Sequence, residues 1–194
     1  MLPQTSRYLD LALQGRNDGW RYALGVATIA FFWLVLGYAP YLLLVGAGVE
    51  MDPLLDFVAI NFSILMMLAG LAVTMKLVHR RPLLSLVTPE ARVDWRRIGR
   101  GALVWVVMAA AISVIEHLLY PGRYYLSFDP ERFVPFLTAV LVLTPIQCAA
   151  EELVFRGYAM QGLGLLTRQP AVIAAASSVI FTVPHLMNPE VGHH

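Results

Sequence analysis

Long apolar runs separated by short polar breaks set the rhythm of this chain. Five runs stand out, at residues 22–45, 54–78, 101–120, 133–166 and 171–187. A helix rises 1.5 Å per residue, so about 20 residues cross a ~30 Å hydrocarbon core. The pattern therefore predicts an all-α, polytopic transmembrane helix bundle with about five spans. Pro40 predicts a kink near one end of the first span, and Pro145 a kink six residues before Glu151. Pro135 suits the first turn of the fourth run. That run covers about 33 residues, more than a perpendicular crossing needs, so it must tilt or emerge. Asn61, one of few polar residues in the second run, is placed to bond to a neighbouring helix. The fifth run begins with small residues, Ala171, Ala174, Ala175, Ala176, Ser177 and Ser178, which let helix backbones approach closely.

Composition agrees with a membrane protein. The chain is 58% hydrophobic and 14% charged, against about 25% charged in a typical soluble domain. Its mean hydropathy is +0.66. The first run is too long for the ~7–15-residue core of a signal peptide and is read as a retained span. A formal net charge of +1 argues against a nucleic-acid partner. Cys148 is the single cysteine, which excludes an intrachain disulfide and a multi-cysteine metal site; it is read as a small buried hydrophobe.

Charge orients the spans. Residues 79–100 carry Arg80, Arg81, Arg92, Arg96, Arg97 and Arg100, with Lys76 just before them. The positive-inside rule places this loop in the cytoplasm and the acidic turn at 50–56 outside. Residues 1–21 then form a cytoplasmic segment, and residues 22–120 hold three spans. Residues 93–98 fit a short interfacial helix, with Trp95 and Ile98 among the headgroups. Glu116 and His117 fall near the outer end of the third span, where solvation explains them better than catalysis.

Candidate chemistry sits at the end of the fourth run. Ionisable groups at membrane depth are expensive and need a purpose. Glu152 and Arg156 stand four apart on one helix face and can pair. Glu151 is rotated by about 100° and is free to look elsewhere. The turn between the last two spans centres near Thr167, with Glu151 16 residues before it and His185 18 after. Antiparallel helices would bring the carboxylate and the imidazole to nearly the same depth. They could share a water, with Glu151 as base and His185 orienting it or binding a metal.

Glu151-Glu152-Leu153-Val154-Phe155-Arg156 resembles the EExxxR motif of the CPBP family, the type II CAAX prenyl endopeptidases and bacterial Abi (bacteriocin-immunity) proteins. Phe181-Thr182-Val183-Pro184-His185 is similar to the family's FxxxH motif. The basic loop ahead of Trp95-Arg96-Arg97 also resembles bacterial members. The resemblance covers residues 133–188 as a partial core, followed by a short tail at 189–194. It implies an intramembrane endopeptidase in the cell membrane, acting on a peptide or membrane-protein substrate. Glu151 would activate water, His185 would assist, Glu152 and Arg156 would support them, and Asn188 would line the site. The family carries a further histidine on a later helix; His193 and His194 follow Asn188 too closely to supply it, so this chain is expected to be incomplete at that point. Zinc remains open alongside a metal-free mechanism, with Glu151 and His185 as its only evident ligands. The rival readings are a non-catalytic membrane scaffold or immunity protein, and a proton-coupled transporter subunit.

Overall fold

The computed structural model describes residues 4–90, 92–123 and 127–186. A short helix, α1 (Gln4–Asp10), and a 3-10 turn (Leu11–Gln14) precede the first long element. The four long apolar helices are α2 (Gly19–Gly46), α3 (Pro53–Val78), α4 (Trp95–Leu119) and α5 (Pro130–Leu166). Each is long and apolar enough to cross a membrane. A shorter apolar helix, α6 (Pro170–His185), follows. The described residues contain no strand, and the protein is a multi-pass helical membrane bundle.

Local sequence starts and interrupts these helices. Asp52 accepts a hydrogen bond from the Leu55 amide at 2.8 Å, and Pro53 opens α3 where no amide hydrogen is needed. Asp129 and Pro130 start α5 in the same way, with Asp129 accepting from the Glu131 amide at 3.1 Å. Pro40 breaks α2: a π-helical stretch (Phe31–Gly37) ends at a turn on Tyr38, and the helix restarts at Ala39–Gly46. α5 stays helical through Pro135 and Pro145.

Three local expectations change. Residues 95–98 are the first turn of the long α4, because the Asp94 side chain caps the Arg97 amide and nothing breaks the helix afterwards. Buried Asn61 donates to Phe57 O, four residues back at 2.9 Å, so its amide is satisfied within its own helix. Cys148 is exposed rather than buried; a small apolar thiol on a helix apolar enough to span a membrane needs no packed neighbour. The end of the fifth run at Met187 lies outside the described residues.

The core lies between α2, α3 and the second half of α5. Met67, Leu71 and Met75 of α3 pack against Ile29 of α2 and Ala150, Val154, Phe155 and Tyr158 of α5. Two glycines allow the α2–α3 approach. A Cβ on Gly37 would sit 2.7 Å from Ser63 Cα, and one on Gly70 would sit 2.8 Å from Phe32 Cβ. α4 has no buried residue, and its apolar surface suits contact with lipid.

Candidate active site

The site forms where α5 and α6 run side by side. At Glu152 the backbone of α5 changes from α to π and remains so to Ala159. Short π segments widen one turn of a helix and occur often at functional sites. Glu151 is the last α residue and Glu152 the first π residue, so the two carboxylates leave the helix at its change of pitch.

Glu151 faces α6. Its Oε1 accepts a hydrogen bond from Gln147 Nε2 at 3.1 Å. Its Oε2 stands 3.9 Å from His185 Nε2. Its side chain is 19% exposed, and that of His185 is 35% exposed. Glu152 turns away and accepts from Arg156 Nη1, four residues along. About half of the surface of each of these two side chains is exposed (51% and 54%), so the pair forms as expected but lies on the outside of the bundle. Exposure at membrane depth includes contact with lipid as well as water.

His185 is held on three sides by α5 and its own helix. Its Nδ1 lies 2.7 Å from Phe181 O. A carbonyl can only accept, so Nδ1 carries the hydrogen, and in the neutral ring Nε2 presents a lone pair towards Glu151. The imidazole stacks on the Phe181 ring at 4.3 Å and 28°. Phe181 meets the Phe155 ring edge-on at 5.6 Å and the Arg156 guanidinium at 5.1 Å. Arg156 thus joins the two motifs: it binds Glu152 and rests on the aromatic ring that carries His185.

A buried polar network anchors the far half of α5. His79 is 1% exposed; its Nδ1 donates to Arg16 O at 2.8 Å, and its Nε2 accepts from the Tyr158 hydroxyl at 2.9 Å. Gln161, fully buried, donates to Ser85 O at 2.8 Å. Tyr8 donates to Leu86 O at 2.7 Å. Burial pushes the His79 pKa below its ordinary value, and the nearby Arg81 and Arg21 push the same way.

The structure thus brings Glu151, Glu152, Arg156 and His185 together. Asn188, His193 and His194 lie outside the described residues. Sequence reasoning missed Gln147, whose only signal was its position four residues before Glu151. It also missed His79, which looked like part of a charged loop. Among the described residues no group of three or more His, Cys, Asp or Glu side chains is placed to hold a metal. Glu151 and His185 offer two donors, where a closed zinc site needs four.

Residues 130–192 match the family described as type II CAAX prenyl endopeptidase Rce1-like. The chain is also similar to the uncharacterized protein YyaK of Bacillus subtilis, with 30% identity over 196 residues. That match covers 93% of this chain and 65% of the relative, so the chain spans about two thirds of the relative's length. No solved structure matches the chain. The match to the type II CAAX prenyl endopeptidase Rce1-like family thus lies over residues 130–192, the part of this membrane protein that carries both the Glu151-Glu152-x-x-x-Arg156 and the Phe181-x-x-x-His185 motifs.

Proposed function

We propose that the protein is an intramembrane endopeptidase in which Glu151 and His185 activate water for direct attack on a peptide carbonyl. The observation that carries this reading is the pair of acceptors, Glu151 Oε2 and His185 Nε2, facing each other 3.9 Å apart across two helices. One water with arms of about 2.8 Å bridges that gap, donating one hydrogen to each acceptor. Its remaining lone pairs are then directed outward, towards a bound peptide. As the water oxygen bonds to the carbonyl carbon, Glu151 takes a proton. When the tetrahedral intermediate collapses, the C–N bond breaks and the proton passes to the leaving amine. Glu151 is thereby regenerated, and no serine or cysteine nucleophile is required.

The surrounding residues position this pair. Gln147 holds one oxygen of Glu151. Glu152 fixes Arg156, and Arg156 with Phe155 fixes the Phe181 ring on which His185 stacks. By its resemblance to the family pattern, Asn188 would belong to the same site. The basic residues 79–100 and the N-terminal segment face the cytoplasm of the cell in which the protein spans the inner membrane. The substrate is a peptide segment of a membrane-associated chain.

The test is cleavage by the full-length protein in lipid vesicles, using a quenched peptide or tagged membrane substrate. Glu151→Gln and His185→Asn are each expected to lower the rate by about 100-fold or more, the usual contribution of a positioned acid or base. Thermal midpoint and expression should match the parent. Full cleavage by Glu151→Gln would end this assignment.

A further inference from the structure

A cleft of about 670 Å³ lies where α3 ends, lined by Met75, Lys76, Leu77, Arg80, Arg81 and Leu83 among others. It combines an apolar floor with three cations. Among the described residues no carboxylate stands within ion-pair distance of Lys76, Arg80 or Arg81, although five other arginines have such a partner. Three carbonyls at the end of α3 already accept other donors. Thr74 O accepts from the His79 amide, Met75 O from the Arg81 amide, and Val78 O from Arg21 Nη1.

Arg81 is the sharpest feature. It lines the cleft yet is only 5% exposed. Its Nε and Nη1 are buried without a hydrogen-bond partner. Its Nη2 reaches only the Met75 sulfur at 3.9 Å, a weak acceptor on the same lining. A buried guanidinium with unpaired N–H groups is costly, and a planar fork of donors matches a phosphate. Arg80 is held at φ 53°, in the left-handed region, which is unfavourable for a side chain of this type. The chain thus adopts a strained turn to set Arg80 beside Arg81 and Lys76. A general membrane anchor explains exposed cations that spread into the headgroups. It does not explain a buried, unpaired one.

We propose that this cleft binds the phosphate of an anionic phospholipid. The three cations hold the headgroup, and an acyl chain descends along α3 past Leu77, which is 63% exposed. The occupant is a lipid because the cleft lies at the end of a membrane span and its floor is apolar. This inference rests on membrane insertion and is independent of the peptidase assignment.

The test is lipid binding by the full-length protein in detergent, read by native mass spectrometry and by thermal midpoint. Phosphatidylglycerol, phosphatidylcholine and inorganic phosphate are compared. Phosphatidylglycerol should bind and raise the midpoint, while the other two should do neither at the same concentration. The double variant Lys76→Gln/Arg80→Gln should bind phosphatidylglycerol roughly thirtyfold more weakly, as two lost surface cations imply. The exposed single variant Lys76→Gln, which leaves the strained turn intact, should lose roughly fivefold. Arg96→Gln/Arg97→Gln removes the same charge from α4, outside the cleft, and should change binding less than about threefold. Equal losses in the two double variants would overturn the site in favour of bulk attraction. Equal effects of inorganic phosphate and phosphatidylglycerol would overturn the lipid.

Discussion

At Glu151 the two carboxylate oxygens have different neighbours: Gln147 donates to one, and the other faces His185. A hydrogen bond to a charged group contributes about 1.5–3 kcal/mol. If it orients the base, Gln147→Leu should lower kcat by about tenfold or more and change KM less than about twofold. Steady-state kinetics with a thermal-midpoint control reads this directly. An unchanged kcat would remove Gln147 from the mechanism. Phe181 makes a separate point about single residues. Its ring contacts Arg156, Phe155 and His185 at once, so the aromatic of the second motif has a physical role as the surface that sets the imidazole plane.

At the scale of elements, the bundle depends on where side chains are missing. Gly37 meets the Ser63 backbone, so an added methyl has nowhere to go unless α2 and α3 separate. Gly37→Ala should therefore destabilise the protein by about 1–3 kcal/mol, seen as a lower thermal midpoint in detergent. Gly46, in the same helix, has open space around its Cβ position. Gly46→Ala should leave the midpoint unchanged or raise it slightly, since alanine costs less than glycine in a helix. Equal losses at both positions would mean that helix propensity, not close packing, decides. The π stretch of α5 belongs to this scale too. It keeps Glu152 paired with Arg156 while Phe155 and Tyr158 stay in the core.

Over the whole molecule, segments far apart in sequence close around the second half of α5. The N-terminal segment, the loop after α3 and α5 meet at His79, which is bonded to Arg16 and Tyr158 and ringed by Tyr22, Arg21 and Arg81. Burial favours the neutral ring, so the folded protein binds fewer protons here than the unfolded chain. The stabilisation is fully present above the ordinary histidine value of 6.5 and is lost as pH falls through it towards the lower folded value. Thermal midpoints should therefore decline as pH is lowered below about 6.5. His79→Gln should start from a lower midpoint and decline less steeply over the same window. An identical slope in the variant would show that other groups control the acid limb. The Arg168–Asp10 pair ties α1 to the end of α5 at 2.7 Å, but half-exposed pairs contribute little.

Run length and hydropathy alone determined that the chain is helical and spans a membrane, because the bilayer demands about 20 apolar residues with every backbone group satisfied internally. The one-residue offset between Glu151 and Glu152, and the four-residue step to Arg156, were also readable, since local helical geometry sets them. Matching distances from the turn near Thr167 brought His185 into view. Other features depended on tertiary structure. Gln147 had only its four-residue step to Glu151, a spacing that any polar residue in a helix can share by chance. His79 lay in a basic loop whose charges hid its burial, and an N-terminal segment of mixed polarity gave no hint that Arg16 would bond to it. The exposed Cys148 and the self-bonded Asn61 turned on which way a helix faces. A sequence of bilayer-spanning helices leaves that open, since lipid and core are both apolar and only packing against a neighbour distinguishes them.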